Sequence, residues 1–188
     1  MRARSTNLRS FPHLELLQTY CSLCTFMFGY HVHEKAIMSA IIPLTLLATV
    51  SREHARLYLR TCAFGHFGMF PLLFRPTEML FKICAYVMHF ALSTLLLERF
   101  HDIRDQSGNA ETLRRKSDKF SLLVLLLVGL FAEVIHRLSF NPLGHLEFLP
   151  LMATSVVCAM GLVSCWVSSG HCMWKCADVV KHYSNTSC

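Results

Sequence analysis

The chain has 188 residues, of which 53% are hydrophobic and 16% charged, with a mean hydropathy of +0.41; soluble globular domains carry about 25% charged residues. That balance, with the apolar residues in runs about as long as a bilayer is thick, excludes an ordinary soluble domain and points to a polytopic membrane protein. The abundance of Leu, Phe and Val excludes disorder. The formal charge of +6 does not signal nucleic acid, because Lys and Arg stand at the ends of apolar runs and do not interleave with aromatics.

The segment from Met1 to Pro12 carries Arg2, Arg4 and Arg9 and resembles the basic part of a signal sequence, but Glu15 and Gln18 follow it and no small-residue cleavage site is evident. Residues 14–30 are the weakest expected span. Ala36 to Val50 is apolar but only fifteen residues long, which covers about 22 Å at ~1.5 Å per residue, so a spanning helix there must reach back to residue 31. Leu57 to Phe74 follows, with Arg60 near its start and Pro71 near its end. Met79 to Leu97 is interrupted only by Lys82, close enough to an end to snorkel. A polar loop at 98–119 precedes the span 120–136, which tolerates Glu133. The clearest span, Phe148 to Gly170, has 23 residues without a charge, and about 20 suffice to cross the hydrocarbon core. The expected fold is all-α: a single transmembrane region, 1–188, of about six helices near 14–30, 31–50, 57–74, 79–97, 120–136 and 147–169.

The loops orient these spans, since Lys and Arg in short loops collect on the cytoplasmic side. With His31 to Lys35 luminal, the cytoplasmic side receives Arg2, Arg4, Arg9, Arg52, Arg56, the 98–119 loop with its basic cluster Arg114, Arg115 and Lys116, and finally Lys175 and Lys181. Both termini are then cytoplasmic, and the sequon at Asn185 is out of reach of luminal glycosylation. The cysteines Cys62, Cys84, Cys158 and Cys165 fall inside apolar runs, where a thiol behaves as a small hydrophobe. The lone Cys21-x-x-Cys24 pair and the group His171, Cys172 and Cys176 lack a matching second half, so no metal site is expected from them.

The polar sequence His31-Val32-His33-Glu34-Lys35 lies directly before the apolar run that is too short. Polar and charged groups at membrane depth are costly and are usually paired or turned toward a polar cavity. A helix beginning here would offer backbone N–H groups and a positive dipole end, Lys35 a full charge, and His31 or His33 a donor, which together suit a phosphate at the lipid–water boundary. Glu34 would orient Lys35 or a histidine. The plainer alternative is an interfacial anchor, with Lys35 snorkelling and Glu34 capping the helix. A metal site from His31, His33 and Glu34 is disfavoured, because H-x-H-E lacks the i, i+4 histidine spacing of helical zinc motifs.

The segment Gly29-Tyr30-His31-Val32-His33-Glu34-Lys35-Ala36-Ile37, followed by Ile42-Pro43-Leu44, resembles the V-H-E-K-[AS]-I segment of the dolichyl-phosphate-glucose glucosyltransferases of asparagine-linked glycosylation. His66-Phe67-Gly68-Met69-Phe70-Pro71-Leu72-Leu73-Phe74 resembles a second segment of that family at a similar distance downstream. His31 before Val32 and the Phe-Pro-Leu-Leu-Phe wording look more like the second glucosyltransferase, acting on the monoglucosylated lipid-linked oligosaccharide, than like the first.

The resemblance implies the C-terminal part of a type C glycosyltransferase fold in the endoplasmic reticulum membrane. The implied reaction is an inverting α-1,3 transfer of glucose from dolichyl phosphate glucose to a dolichyl-diphosphate oligosaccharide, with no cofactor. In the family the general base is an acidic residue in a large luminal loop, which has no counterpart in these residues. His33 and Lys35, supported by His31 and Glu34, are then expected to hold the donor phosphate, and Arg75 is a weaker candidate contact. A catalytically inactive remnant or partner subunit is the non-enzymatic alternative. A transporter ranks last, because no intramembrane acid pair or charge chain is evident.

Overall fold

A computed structural model describes residues 2–70, 76–104, 116–132 and 148–185. Among these residues all the regular secondary structure is helical, with six α-helices: α1 (Arg2–Phe28), α2 (Met38–Leu47), α3 (Arg52–Gly68), α4 (Pro76–Arg104), α5 (Lys116–Leu130) and α6 (Leu149–Asn185). A short 3-10 turn, Glu34–Ile37, leads into α2. The all-α architecture expected from the apolar runs is therefore the one observed. The chain divides into two compact units, one of residues 1–58 with 163–188 and the other of residues 59–162.

In the first unit α1 presents Leu16, Thr19 and Leu23 to the 3-10 turn and α2, which answer with Ile37 and with Ala40, Ile41, Leu44 and Leu47, all buried. Both sets recur at three- and four-residue intervals and so form one stripe on each helix. The hydroxyl of Thr19 is fully buried and donates to its own helix at the Glu15 carbonyl (2.8 Å). That bond lets a polar side chain sit in an apolar seam. The C-terminal half of α6 joins the same unit through Trp166. Its ring is stacked on Tyr20 (6.3 Å between centroids, 14° apart) and meets Phe28 edge-on (5.6 Å). The indole N–H donates to Cys24 Sγ at 3.2 Å.

Between α2 and α3 the chain turns through residues 48–50, and Ser51 caps α3: its Oγ accepts from the His54 N–H at 3.3 Å. The same oxygen lies 2.7 Å from His54 Nδ1. Burial of His54 holds its imidazole below the usual histidine range, an effect opposed by the neighbouring Glu53 carboxylate.

In the second unit the remainder of α3 is buried on nearly every side, through Leu59, Thr61, Cys62, Ala63, Phe64 and Phe67. α4 runs antiparallel beside it. The Tyr86 hydroxyl donates to the Ala63 carbonyl (3.2 Å), and its ring meets Phe67 and Phe70 edge-on. Lys82 is buried, with its Nζ 5.3 Å from the centre of the Phe70 ring. A cation over an aromatic face accounts for a lysine that was expected to snorkel. Helices α5 and α6 reach α3 through small residues, Gly129 facing Phe67 and Gly161 set directly against the Phe64 ring. Glycine at these two positions lets the helices approach closely. Arg60 of α3 and Asp118 of α5 form an ion pair at 3.5 Å.

Among the described residues two helices have the length and composition to cross a membrane, Leu80–Arg104 and Leu149–Asp178. Only 17% and 28% of their most apolar windows are buried in the protein, unlike the core helix of a soluble domain. The outward face of α4 carries Leu80, Phe81, Val87, Met88, Leu92 and Leu96, all exposed. By contrast, α2 and the 3-10 turn together rise only about 23 Å, less than the ~30 Å hydrocarbon core. The run that looked too short in the sequence is also short as a helix, and α1 covers its buried side.

Candidate functional site

The segment from His31 to Lys35 forms the connection between α1 and the 3-10 turn. α1 closes with the Gly29 N–H donating to the Thr25 carbonyl at 2.9 Å. A side chain at Gly29 would run into Thr25 O and Val32 Cγ2, so only glycine allows the loop to fold back this tightly. His31 then takes a left-handed backbone conformation, φ 53°, which reverses the chain. Histidine is among the residues that tolerate this region, whereas a β-branched residue would be strained there.

His33 is extended (φ −76°, ψ 150°), makes no side-chain cap, and its carbonyl accepts from Ala36 N–H at 2.9 Å. These two conformations explain why no helix begins at His31. Helical backbone starts at Glu34, first as a 3-10 turn, and becomes α-helical at Met38. The expected alignment of backbone N–H groups at a helix start is therefore replaced by a loop.

His31, His33, Glu34 and Lys35 are all exposed. Tyr30, 92% exposed, stands edge-on to His31 with the ring centroids 4.2 Å apart. Among the described residues Glu34 makes no ion pair with Lys35, so the Lys35 ammonium is available to an outside anion. The loop itself is pinned at both ends by buried residues, Leu23 of α1 and Ile37 of the 3-10 turn. Two imidazoles and an ammonium thus stand exposed on a five-residue loop with fixed roots. The aromatic Tyr30 and Phe28 beside it offer apolar surface to a lipid chain.

Arg75 and the residues 71–74 lie outside the described residues, as do Glu133 and residues 105–115 of the expected 98–119 loop, whose flanks 98–104 and 116–119 are helical. Among the described residues one group of histidine and cysteine donors stands out, Cys62, His66 and His89. The signal for it was present in the sequence as the i, i+4 pair Cys62 and His66.

Comparison with known proteins gives these residues a context. Residues 4–169 match the model of the ALG6, ALG8 glycosyltransferase family. The chain is 35% identical over 152 residues to the dolichyl pyrophosphate Glc1Man9GlcNAc2 alpha-1,3-glucosyltransferase of Coccidioides immitis, covering 79% of this chain and 29% of that protein. It is 34% identical over 154 residues to the protein of the same name from Bos taurus (78% and 27%). The Arabidopsis thaliana protein of that name is 29% identical over 165 residues (83% and 32%). The chain thus spans about 30% of the length of the curated relatives it matches. No solved structure matches it. A family match over most of the chain, carried on a helical scaffold that exposes the His-Val-His-Glu-Lys loop, places this protein in the ALG6, ALG8 glycosyltransferase family.

Proposed function

We propose that this chain forms the donor-lipid side of an inverting α-1,3-glucosyltransferase of the endoplasmic reticulum membrane. It transfers glucose from dolichyl phosphate glucose to a dolichyl-diphosphate-linked oligosaccharide in protein N-glycosylation. The observation that carries this reading is the loop His31 to Lys35. It is rooted by the buried Leu23 and Ile37 and exposes two histidines and a lysine together.

In a single displacement the bond from the sugar to the donor phosphate breaks as the acceptor hydroxyl attacks. The base that takes the hydroxyl proton belongs to the luminal loop of the family and is supplied from outside these residues. What these residues supply is stabilisation of the departing phosphate: Lys35 as a full charge, His33 as a hydrogen-bond donor, His31 beside it, and Glu34 to orient them. Helices of this bundle pass the membrane several times, with the loop on the luminal side. The name of the relatives favours the second glucosylation step, with a monoglucosylated acceptor.

The test uses the full-length protein in nanodiscs, with donor and acceptor varied separately. His33→Ala and Lys35→Ala each remove a hydrogen bond to a charged group, worth about 1.5–3 kcal/mol, so kcat/KM for the donor should fall roughly 10-fold to 150-fold. KM for the acceptor should not change. Unchanged transfer at limiting donor refutes the phosphate role. Transfer to the unglucosylated oligosaccharide in preference to the monoglucosylated one assigns the first step instead, and absence of transfer to either supports an inactive remnant.

A further inference from the structure

The second unit brings together three side chains that the reading above does not use: Cys62 and His66 of α3 and His89 of α4. Cys62 and His66 stand four residues apart, which puts them on one face of the helix one turn apart. α4 runs antiparallel along that face and supplies His89, whose ring meets His66 edge-on at 4.8 Å between centroids. One donor atom from each residue lies within 4.8 Å of the other two. Cys62 is 1% exposed, and the two histidines are half-buried. His89 Nε2 is shielded from solvent and has no hydrogen-bond partner. Tyr86, one turn before His89, is occupied by the Ala63 carbonyl and so ties the two helices together beside the cluster. A shielded imidazole nitrogen in an aromatic seam calls for a partner, and a thiol with a second imidazole converges on the same place.

We propose that Cys62, His66 and His89 form a Zn2+ site that clips α3 to α4. The donor set is one sulfur and two nitrogens with no carboxylate, which suits Zn2+ and disfavours Mg2+, Ca2+ and Mn2+. Zn–S of about 2.3 Å and Zn–N of about 2.0–2.1 Å place tetrahedral ligands roughly 3.3–3.6 Å apart, so donors up to 4.8 Å apart close by up to about 1.5 Å through side-chain rotation. On binding, the Cys62 thiol gives up its proton to solvent and its sulfur lone pair goes to the metal, while both imidazoles bind as neutral donors. Three protein ligands leave the fourth position to water or to an incoming ligand. Cys62 thus differs from the cysteines that serve only as small hydrophobes, and the difference is the histidine one turn away.

The experiment is a Co2+ titration of the full-length protein, purified in detergent by a tag without histidines and stripped with chelator. Binding at Cys62 gives a thiolate-to-cobalt charge-transfer band that saturates at one equivalent and is bleached by one equivalent of Zn2+. Cys62→Ser should abolish the charge-transfer band, and His66→Ala and His89→Gln should each weaken Zn2+ binding at least about tenfold. Cys84→Ser, on the exposed side of α4, should leave the band unchanged. The wild-type titration stands independently of whether any variant folds: no charge-transfer band overturns the site. A band that survives Cys62→Ser, or one that disappears equally in Cys84→Ser, also overturns it.

Discussion

Gly161 of α6 lies directly against Phe64 of α3, and a methyl group added at Gly161 would run into three ring atoms, Cγ, Cδ1 and Cε1. Phe64 is only 5% exposed, so its ring cannot simply swing outward. Because Cγ is among the atoms struck, relief needs a change at χ1 or a separation of the two helices. Overpacking of this kind costs about 1–3 kcal/mol, and the crowded geometry argues for the upper end. Alanine recovers up to about 1 kcal/mol of helix propensity, leaving Gly161→Ala destabilised by roughly 2 kcal/mol. Gly68 is the internal control, since its nearest neighbour would be Cys158 at 3.7 Å, an ordinary contact. Gly68→Ala should therefore be near neutral. The assay is equilibrium unfolding of the full-length protein in mixed micelles, for both variants and in a Phe64→Leu background. There Gly161→Ala should lose most of its penalty, a coupling of about 1–2 kcal/mol. Equal stability of Gly161→Ala and Gly68→Ala, or no relief from Phe64→Leu, would refute the steric account of the α3 and α6 contact.

The Arg60 and Asp118 side chains are 27% and 14% exposed and 3.5 Å apart, so Asp118→Asn should leave a half-buried guanidinium uncompensated and cost roughly 1–3 kcal/mol in the same assay, less than the loss of a fully buried pair. Lys175 and Glu53, 3.7 Å apart but more than half exposed, should tolerate Lys175→Met with almost no change. The folded-state value of His54 is lowered by burial, so its neutral form favours folding. That contribution is complete above the unfolded value near 6.5 and is lost as pH falls from there through the lowered folded value. Thermal midpoints measured across this window should fall with pH, and His54→Asn should make the fall shallower.

The apolar runs at Met79 to Leu97 and Phe148 to Gly170 were legible because nothing competes with hydrophobicity over some twenty residues; both are helical in the structure. Where helices stop was less legible. α6 continues to Asn185 because no proline or turn-forming pair interrupts the polar tail after Gly170, and polarity alone does not end a helix. α1 accommodates Pro12 and begins at Arg2. At the candidate site the identities of His31, His33, Glu34 and Lys35 could be read directly, but their backbone could not. The left-handed turn at His31 depends on the close approach of Gly29 to Val32, which periodicity does not register. The convergence of His89 on Cys62 and His66 was hidden for another reason. It depends on how two antiparallel helices register, and that register is set by Tyr86, Phe67 and Phe70.

The chain has two tryptophans, and they sit in opposite surroundings. Trp174 is 70% exposed, while Trp166 has its indole nitrogen 3.2 Å from the Cys24 sulfur and its ring against Tyr20 and Phe28. A thiol in contact with an indole is an efficient collisional quencher, so in the folded protein emission comes chiefly from Trp174. Release of α1 from the middle of α6 removes the quencher and brightens Trp166. The fold thus contains its own optical gauge of that single contact, readable without a label.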